Sequence, residues 1–256
     1  MDQVIVERAD GIATVTLNQP KKKNAISFEM WERLAEVFRE IGANPDDRAM
    51  ILTGAGGNFC SGADLTGGSD DPRHQLDKMQ YFGFVGVALH EMPTPTIAKI
   101  DGVAIGAGLN IALGCDLIVA TDRARFSEIF AQRGLSLDLG GSWVLPRLVG
   151  LHKAKELALL AEIVDAKEAE RIGIVNRVLP PDEIDEFVHG WAMRLASGPP
   201  LALQMSKRML NSSLQMSLSE MLHWEGMAQT VNGYTKDGHE AMAAFVEKRP
   251  PEFKGR

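Results

Sequence analysis

Apolar and polar residues alternate with a period of two near the start of the chain. Val4-Ile5-Val6 and Ala13-Thr14-Val15-Thr16-Leu17 are β-rich runs on either side of Asp10-Gly11. Asp-Gly supplies the two positive-φ positions of a tight hairpin turn, so the runs predict a β-hairpin. The period then changes to that of a helix. Met30, Trp31, Leu34, Val37, Phe38 and Ile41 recur along one helical face behind Ser27, whose hydroxyl suits an N-cap, and Asn44-Pro45-Asp46-Asp47 ends the run. Ala49-Met50-Ile51-Leu52-Thr53 reads as the next strand. The order strand, strand, helix, strand recurs loosely from Ile97 to Ala120, which predicts an α/β fold of stacked β-β-α units rather than a doubly wound sheet.

Further along, the segment from about Arg73 to Met92 is helix-like, and the polar stretch Thr66-Gly67-Gly68-Ser69-Asp70-Asp71-Pro72 before it reads either as a lid over a ligand or as an ordinary surface loop. Ile174-Val175-Asn176-Arg177-Val178-Leu179 reads as a strand closed by Pro180-Pro181. Beyond it the pattern is helical to Val246, broken at Ser197-Gly198-Pro199-Pro200. Met205, Met209, Leu210, Leu214, Met216, Leu218, Met221, Leu222, Trp224 and Met227 give this end more apolar surface than exposed helices can hide, so it is expected to be core or subunit contact.

Composition narrows the possibilities. With 256 residues, 45% of them hydrophobic and 24% charged, the chain can bury one sizeable core. A net charge of -7 argues against a nucleic-acid partner, although a local basic patch can still meet phosphates. There is no 18-residue apolar run, and Met1-Asp2-Gln3-Val4 opens a strand-like alternation rather than a leader, so no membrane association and a cytoplasmic location are expected. Cys60 and Cys115 sit among small or apolar neighbours and read as buried reduced thiols, and the 6 histidines never reach metal-binding spacing. No metal is implied. Phosphate-loop, dinucleotide and serine-hydrolase motifs are all missing.

The chemistry-bearing features are two small-residue turns, Phe59-Cys60-Ser61-Gly62-Ala63-Asp64-Leu65 and Gly102-Val103-Ala104-Ile105-Gly106-Ala107-Gly108-Leu109-Asn110. Either alone can be a strand-to-helix junction with tight packing. Together, if Ala63 and Ala107 aim their N–H groups at one point, they make an oxyanion hole suited to a thioester oxygen that becomes an enolate.

These turns, with Asn24-Ala25-Ile26, Gly114-Cys115-Asp116, Leu145-Pro146-Arg147 and Phe245-Val246-Glu247-Lys248-Arg249, resemble the enoyl-CoA hydratase/isomerase family, the crotonases, over essentially the whole length. The resemblance implies a superhelix of β-β-α units with the site in residues 1–196 and a C-terminal helical trimerisation region in residues 197–256. It also implies an acyl-CoA thioester substrate, no separate cofactor, and a homo-oligomer that is a trimer or a dimer of trimers. Ala63 and Ala107 become the two donors. Lys22 or Lys23, Ala25, Ser61, Asp64, Leu65 and Gly106 would line the CoA side, and Phe245 and Lys248 would reach a neighbouring subunit's CoA. The resemblance makes Asp64 part of its turn and not the proton carrier; without the resemblance, Phe245 reads as core and Lys248 as solvated.

Hydratases of the family use two glutamates as base and acid, and this chain departs from that pattern. Asn110 stands at the first position and Phe130 at the second, with Glu128 close by as an alternative acid. Asp138, in Gly134-Leu135-Ser136-Leu137-Asp138-Leu139-Gly140-Gly141-Ser142-Trp143, occupies a position where isomerases carry an acid, and the run through Pro146 resembles the branch acting on ring-epoxidised phenylacetyl-CoA. One carboxylate suffices for an allylic shift, so double-bond isomerisation is the expectation, ahead of hydration of a 2-enoyl-CoA and of acyl-CoA binding without turnover. Alternatively, Asp138 caps a helix starting near Leu139.

Overall fold

The structure, a computed structural model, describes residues 2–65 and 74–255. Strands β1 (Val4–Ala9) and β2 (Ile12–Leu17) form the expected hairpin, with Ala9 opposite Ile12 and both Asp10 and Gly11 in the left-handed region at φ 52° and 77°. Asp-Gly thus supplies the geometry that its two positive-φ positions require. Helix α1 (Phe28–Ala43) follows, its first turn held by the Ser27 hydroxyl, which accepts the Met30 N–H at 3.3 Å. All the periodic residues of its apolar face are buried.

After α1 come β3 (Ala49–Gly54), α2 (Gln75–His90), β4 (Thr96–Ile100), β5 (Val103–Ile105), α3 (Ala107–Leu113), β6 (Leu117–Thr121) and β7 (Arg125–Ser127). Then follow α4 (Gly141–Val149), α5 (Leu151–Leu160), β8 (Val164–Asp165), α6 (Ala166–Arg171), β9 (Arg177–Leu179) and α7 (Ile184–Ala196). The chain continues through α8 (Pro200–Ser212), α9 (Leu218–Gly233) and α10 (Lys236–Glu247). One sheet has 6 strands in the order β1-β2-β3-β4-β6-β9, parallel after the first pair, and a second has 3 in the order β5-β7-β8. Two successive strand pairs, β4-β5 and β6-β7, each give one strand to the large sheet before turning into the small one.

The large sheet is covered on both faces, which explains its near-continuous apolar strands. Along β3, Met50 and Leu52 enter the main core with Trp31, Phe38 and Leu89, while Ala49 and Ile51 face Val188 and Ala192 of α7. Alternating side chains on one strand thereby serve two cores.

Three sequence expectations change. The strand foreseen over Ile174–Leu179 is confined to β9, because Ile174 and Val175 turn inward as core after α6. Helix α4 begins at Gly141 rather than near Leu139, since Leu139 at φ 46° and Gly140 at φ 85° are left-handed and cannot continue a right-handed helix. No residue of α8 or α9 is fully buried, so of the two roles expected there, core or subunit contact, core does not hold in the single chain: Met205, Met209 and Trp224 are half-buried, while Leu210, Leu218, Leu222 and, between the helices, Leu214 are exposed. Helix α8 is nonetheless tied to the body: Lys207 pairs with Asp116 at 2.8 Å, and Asn211 Nδ2 donates to the His90 carbonyl. Residues 66–73, where the possible lid was placed, lie outside the described residues.

Candidate active site

The first small-residue turn is an extended ledge held between two others. On one side the Cys60 N–H donates to the Val103 carbonyl at 2.8 Å and the Cys60 carbonyl accepts the Ile105 N–H at 3.0 Å. On the other, the Ser61 N–H donates to the Lys23 carbonyl, the Gly62 carbonyl accepts the Ile26 N–H, and the Asp64 N–H donates to the Ile26 carbonyl. Ile26 is thus bonded to the residues before and after Ala63, and the two form a parallel bridge. In such a bridge the peptide groups of Ala63 itself point the opposite way. That way lies the segment after β5, where Ala107 opens α3 with an N–H that no helical carbonyl can take. The two turns are in close contact: a Cβ on Gly62 would stand 3.0 Å from the Ile105 carbonyl oxygen and 3.9 Å from the Ala107 nitrogen.

A buried polar group lies one turn along α3. Asn110, 1% exposed, donates from Nδ2 to the backbone carbonyl of Asp138 at 3.1 Å, while its Oδ1 has no partner. Asp138 does not cap α4, whose N-cap is Gly140; its carbonyl instead accepts the Gly141 N–H. The Asp138 carboxyl is free for other work, with Oδ1 enclosed and unpartnered. Glu128 follows β7, beside Gly106, whose N–H donates to Ser127. It is 1% exposed and neither of its carboxyl oxygens has a hydrogen-bond partner. Burial pushes the Glu128 carboxyl up to about 8, and the nearby Asp138 charge adds to the rise. Burial likewise pushes Asp138 up to about 6. The Asn110 amide pulls both carboxyls down without undoing either rise.

The structure therefore sets the Ala63 turn against Gly106 and Ala107 at the start of α3, and ties the Asp138 backbone to Asn110 one turn further on. Lys23, Ala25, Ser61, Asp64 and Leu65 lie along the adjoining ledge. There Asp64 forms an ion pair with Lys22 at 2.5 Å. Phe245 is 80% exposed on α10, not core, and Lys248 is exposed beyond it. Beside the Asp138 turn a cavity of about 840 Å³ opens between α2, α4 and α8, lined by Gly86, His90, Leu139, Trp143 and Lys207. One feature escaped the sequence reading: Asn110 links α3 to the Asp138 turn; Glu128, kept by that reading as an alternative acid, is buried.

Among the described residues no group of three or more His, Cys, Asp or Glu side chains is placed to hold a metal ion, and no helix is long and apolar enough to cross a membrane. Cys60 and Cys115 are buried free thiols that burial pushes up to about 12, which leaves them protonated and unreactive near neutral pH.

The fold sets two small-residue turns against each other at a helix start, with an enclosed carboxyl nearby. The sequence pattern of the Enoyl-CoA hydratase/isomerase family matches residues 7–256, and the chain belongs to that family. It is 33% identical over 261 residues to the 1,2-epoxyphenylacetyl-CoA isomerase of Escherichia coli strain K12, covering 100% of both chains. It is 35% identical over 262 residues to the short-chain-enoyl-CoA hydratase of Clostridium acetobutylicum, covering 100% of this chain and 99% of the other. The crystal structure of an enoyl-CoA hydratase from Bacillus anthracis superposes with a TM-score of 0.95 at 31% identity, covering 100% of each chain. The fold is thus that of the crotonases, and the protein is an acyl-CoA enzyme whose relatives carry both hydratase and isomerase names.

Proposed function

We propose that the protein shifts a double bond within an enoyl-CoA, with Ala63 and Ala107 as the oxyanion donors and Asp138 as the single proton carrier. The observation that carries this reading is the Asp138 carboxyl: enclosed, committed to no cap or ion pair, and held beside the start of α3 by its own backbone. Asn110 and Phe130 stand where a hydratase of the family would place its two acids. With its pKa near 6, Asp138 is ionised at neutral pH and can act as base. It takes a proton from C2 of a 3-enoyl-CoA, and the electron pair moves onto the thioester oxygen held by the two amides. The charge spreads to C4, where Asp138 returns the proton.

The ledge of Lys23, Ala25, Ser61, Asp64, Leu65 and Gly106 would hold CoA. The exposed apolar faces of α8 and α9 would join subunits into a trimer or a dimer of trimers, bringing Phe245 and Lys248 to a neighbour's CoA. No cofactor beyond the CoA thioester is needed, and the proposed setting is the cytoplasm.

Asp138→Asn tests the reading. Removing a positioned base costs at least ~100-fold. Isomerisation of a 3-enoyl-CoA should fall by that much while affinity for a saturated acyl-CoA holds; unchanged turnover would remove Asp138 from the mechanism. A second reading, hydration of 2-enoyl-CoA, is favoured by the buried acid Glu128 and by the hydratase names among the relatives. Loss of 2-enoyl absorbance in water, abolished by Glu128→Gln, would establish it.

A further inference from the structure

After α10 the chain reverses. Lys248 stands in the left-handed region at φ 54°, and the residues behind it run back along the helix with their backbone N–H groups fastened to it. Glu240 accepts the Glu252 N–H at 3.0 Å and both terminal nitrogens of Arg249 at 2.5 and 2.9 Å. One turn nearer the helix start, Asp237 accepts the Lys254 and Gly255 N–H groups at 2.7 and 2.8 Å, one on each carboxylate oxygen. The returning tail is also tied to the body. Arg48, just ahead of β3, donates to the Phe253 carbonyl at 3.0 Å and to the Gly198 carbonyl at 2.6 Å, and a Cβ on Gly255 would stand 2.9 Å from Pro200 Cγ.

Helix α10 has little apolar packing of its own, since Ala244 is its only buried apolar residue. Its other buried residue is Asp237, a carboxylate withdrawn from water whose two charge-assisted bonds to the tail offset that burial. Asp237 and Glu240 lie three residues apart and so share one face. Met242, Phe245 and Val246 are exposed on another. A helix gripped along one face at two successive turns cannot roll about its axis, so the bonds to the tail set where the opposite face points.

We propose that the C-terminal tail, gripped by Asp237 and Glu240, aims Phe245 and Lys248 of α10 at a neighbouring subunit's CoA, which makes Asp237 a positioning residue for acyl-CoA binding. The inference rests on the proposed contact of Phe245 and Lys248 with that CoA. Asp237 acts through those two residues and not by contact, because both its oxygens are taken by the tail.

Isothermal titration of the full chain with coenzyme A tests this without turnover. Asp237→Ala should weaken binding about tenfold, the scale of one lost charge-assisted bond. Arg48→Met, which frees the tail from the body without altering α10, should cause a smaller loss of the same kind. In a chain carrying Phe245→Ala and Lys248→Ala, neither substitution should cost anything further, because what the tail aims is already gone. Wild-type affinity in Asp237→Ala, or an equal loss from either tail variant in both backgrounds, would overturn the inference and leave the contact of Phe245 and Lys248 standing. Wild-type affinity in the Phe245→Ala, Lys248→Ala chain would remove that contact, and the inference with it.

Discussion

Gly108 is where the two small-residue turns press hardest on each other, and replacing it with alanine tests whether their contact matters. A Cβ at Gly108 would stand 2.5 Å from the Cys60 carbonyl oxygen and 2.8 Å from both Cys60 Cβ and Sγ. None of these atoms is the far end of a flexible side chain, and the Cys60 carbonyl is already committed to the Ile105 N–H. Alanine favours a helix by about 1 kcal/mol over glycine, but forcing a methyl into packed atoms costs about 1–3 kcal/mol, and contact with backbone belongs at the upper end. A net loss of about 1–2 kcal/mol follows. At about 2–4 °C per kcal/mol for a chain of this size, the melting temperature should drop by several degrees. Activity should suffer more than stability. Relief comes by moving the start of α3 away from the ledge, and a displacement near 1 Å at a reacting centre costs about 100-fold. Calorimetry and 3-enoyl-CoA turnover would be measured beside Gly190→Ala, where a Cβ meets nothing within 4 Å on the exposed side of α7. That control should keep its activity and gain up to about 1 kcal/mol. Wild-type melting and turnover in Gly108→Ala would refute the claim that the two turns converge.

Other outcomes follow from the same coordinates. Asn24 is fully buried at φ 56°, donates to the Ala55 and Asn58 carbonyls at 2.8 and 2.7 Å and accepts the Gln19 N–H at 2.9 Å, so Asn24→Ala should cost about 3 kcal/mol in denaturant unfolding and weaken acyl-CoA binding at the adjoining ledge. The Glu128 carboxyl sits at about 8 in the fold against an ordinary 4.5, so its neutral form is the one the fold favours. The associated stability is present below about pH 4.5 and lost as pH rises through 8; unfolding series should show wild type falling relative to Glu128→Gln across that window by a few kcal/mol. A flat difference would mean that Glu128 is not buried as an acid. Ser217 and Glu220 form a reciprocal capping box at the start of α9, and Ser217→Ala should lower stability by about 1 kcal/mol without touching CoA affinity.

What could be read along the chain is what neighbours in sequence decide. Asp10-Gly11 sets the hairpin because a two-residue turn needs positive φ at both positions, and the Ser27 hydroxyl sets the start of α1 because it can reach the Met30 N–H three residues on. The apolar face of α1 is legible for the same reason, since helical neighbours are a few residues apart. The family, and with it Ala63, Ala107 and Asp138 as the residues to watch, was legible from short motifs. Whether those residues meet was not. The contacts that join Gly62 to Ala107 and Asn110 to Asp138 depend on strand order and crossovers that no local period encodes. The left-handed Leu139-Gly140 step, which frees Asp138 from capping α4, is a backbone state that Leu139 adopts against its own preference and that its surroundings impose. The burial of Glu128 and Asp138 is likewise tertiary, because only the folded chain removes water from both carboxyls.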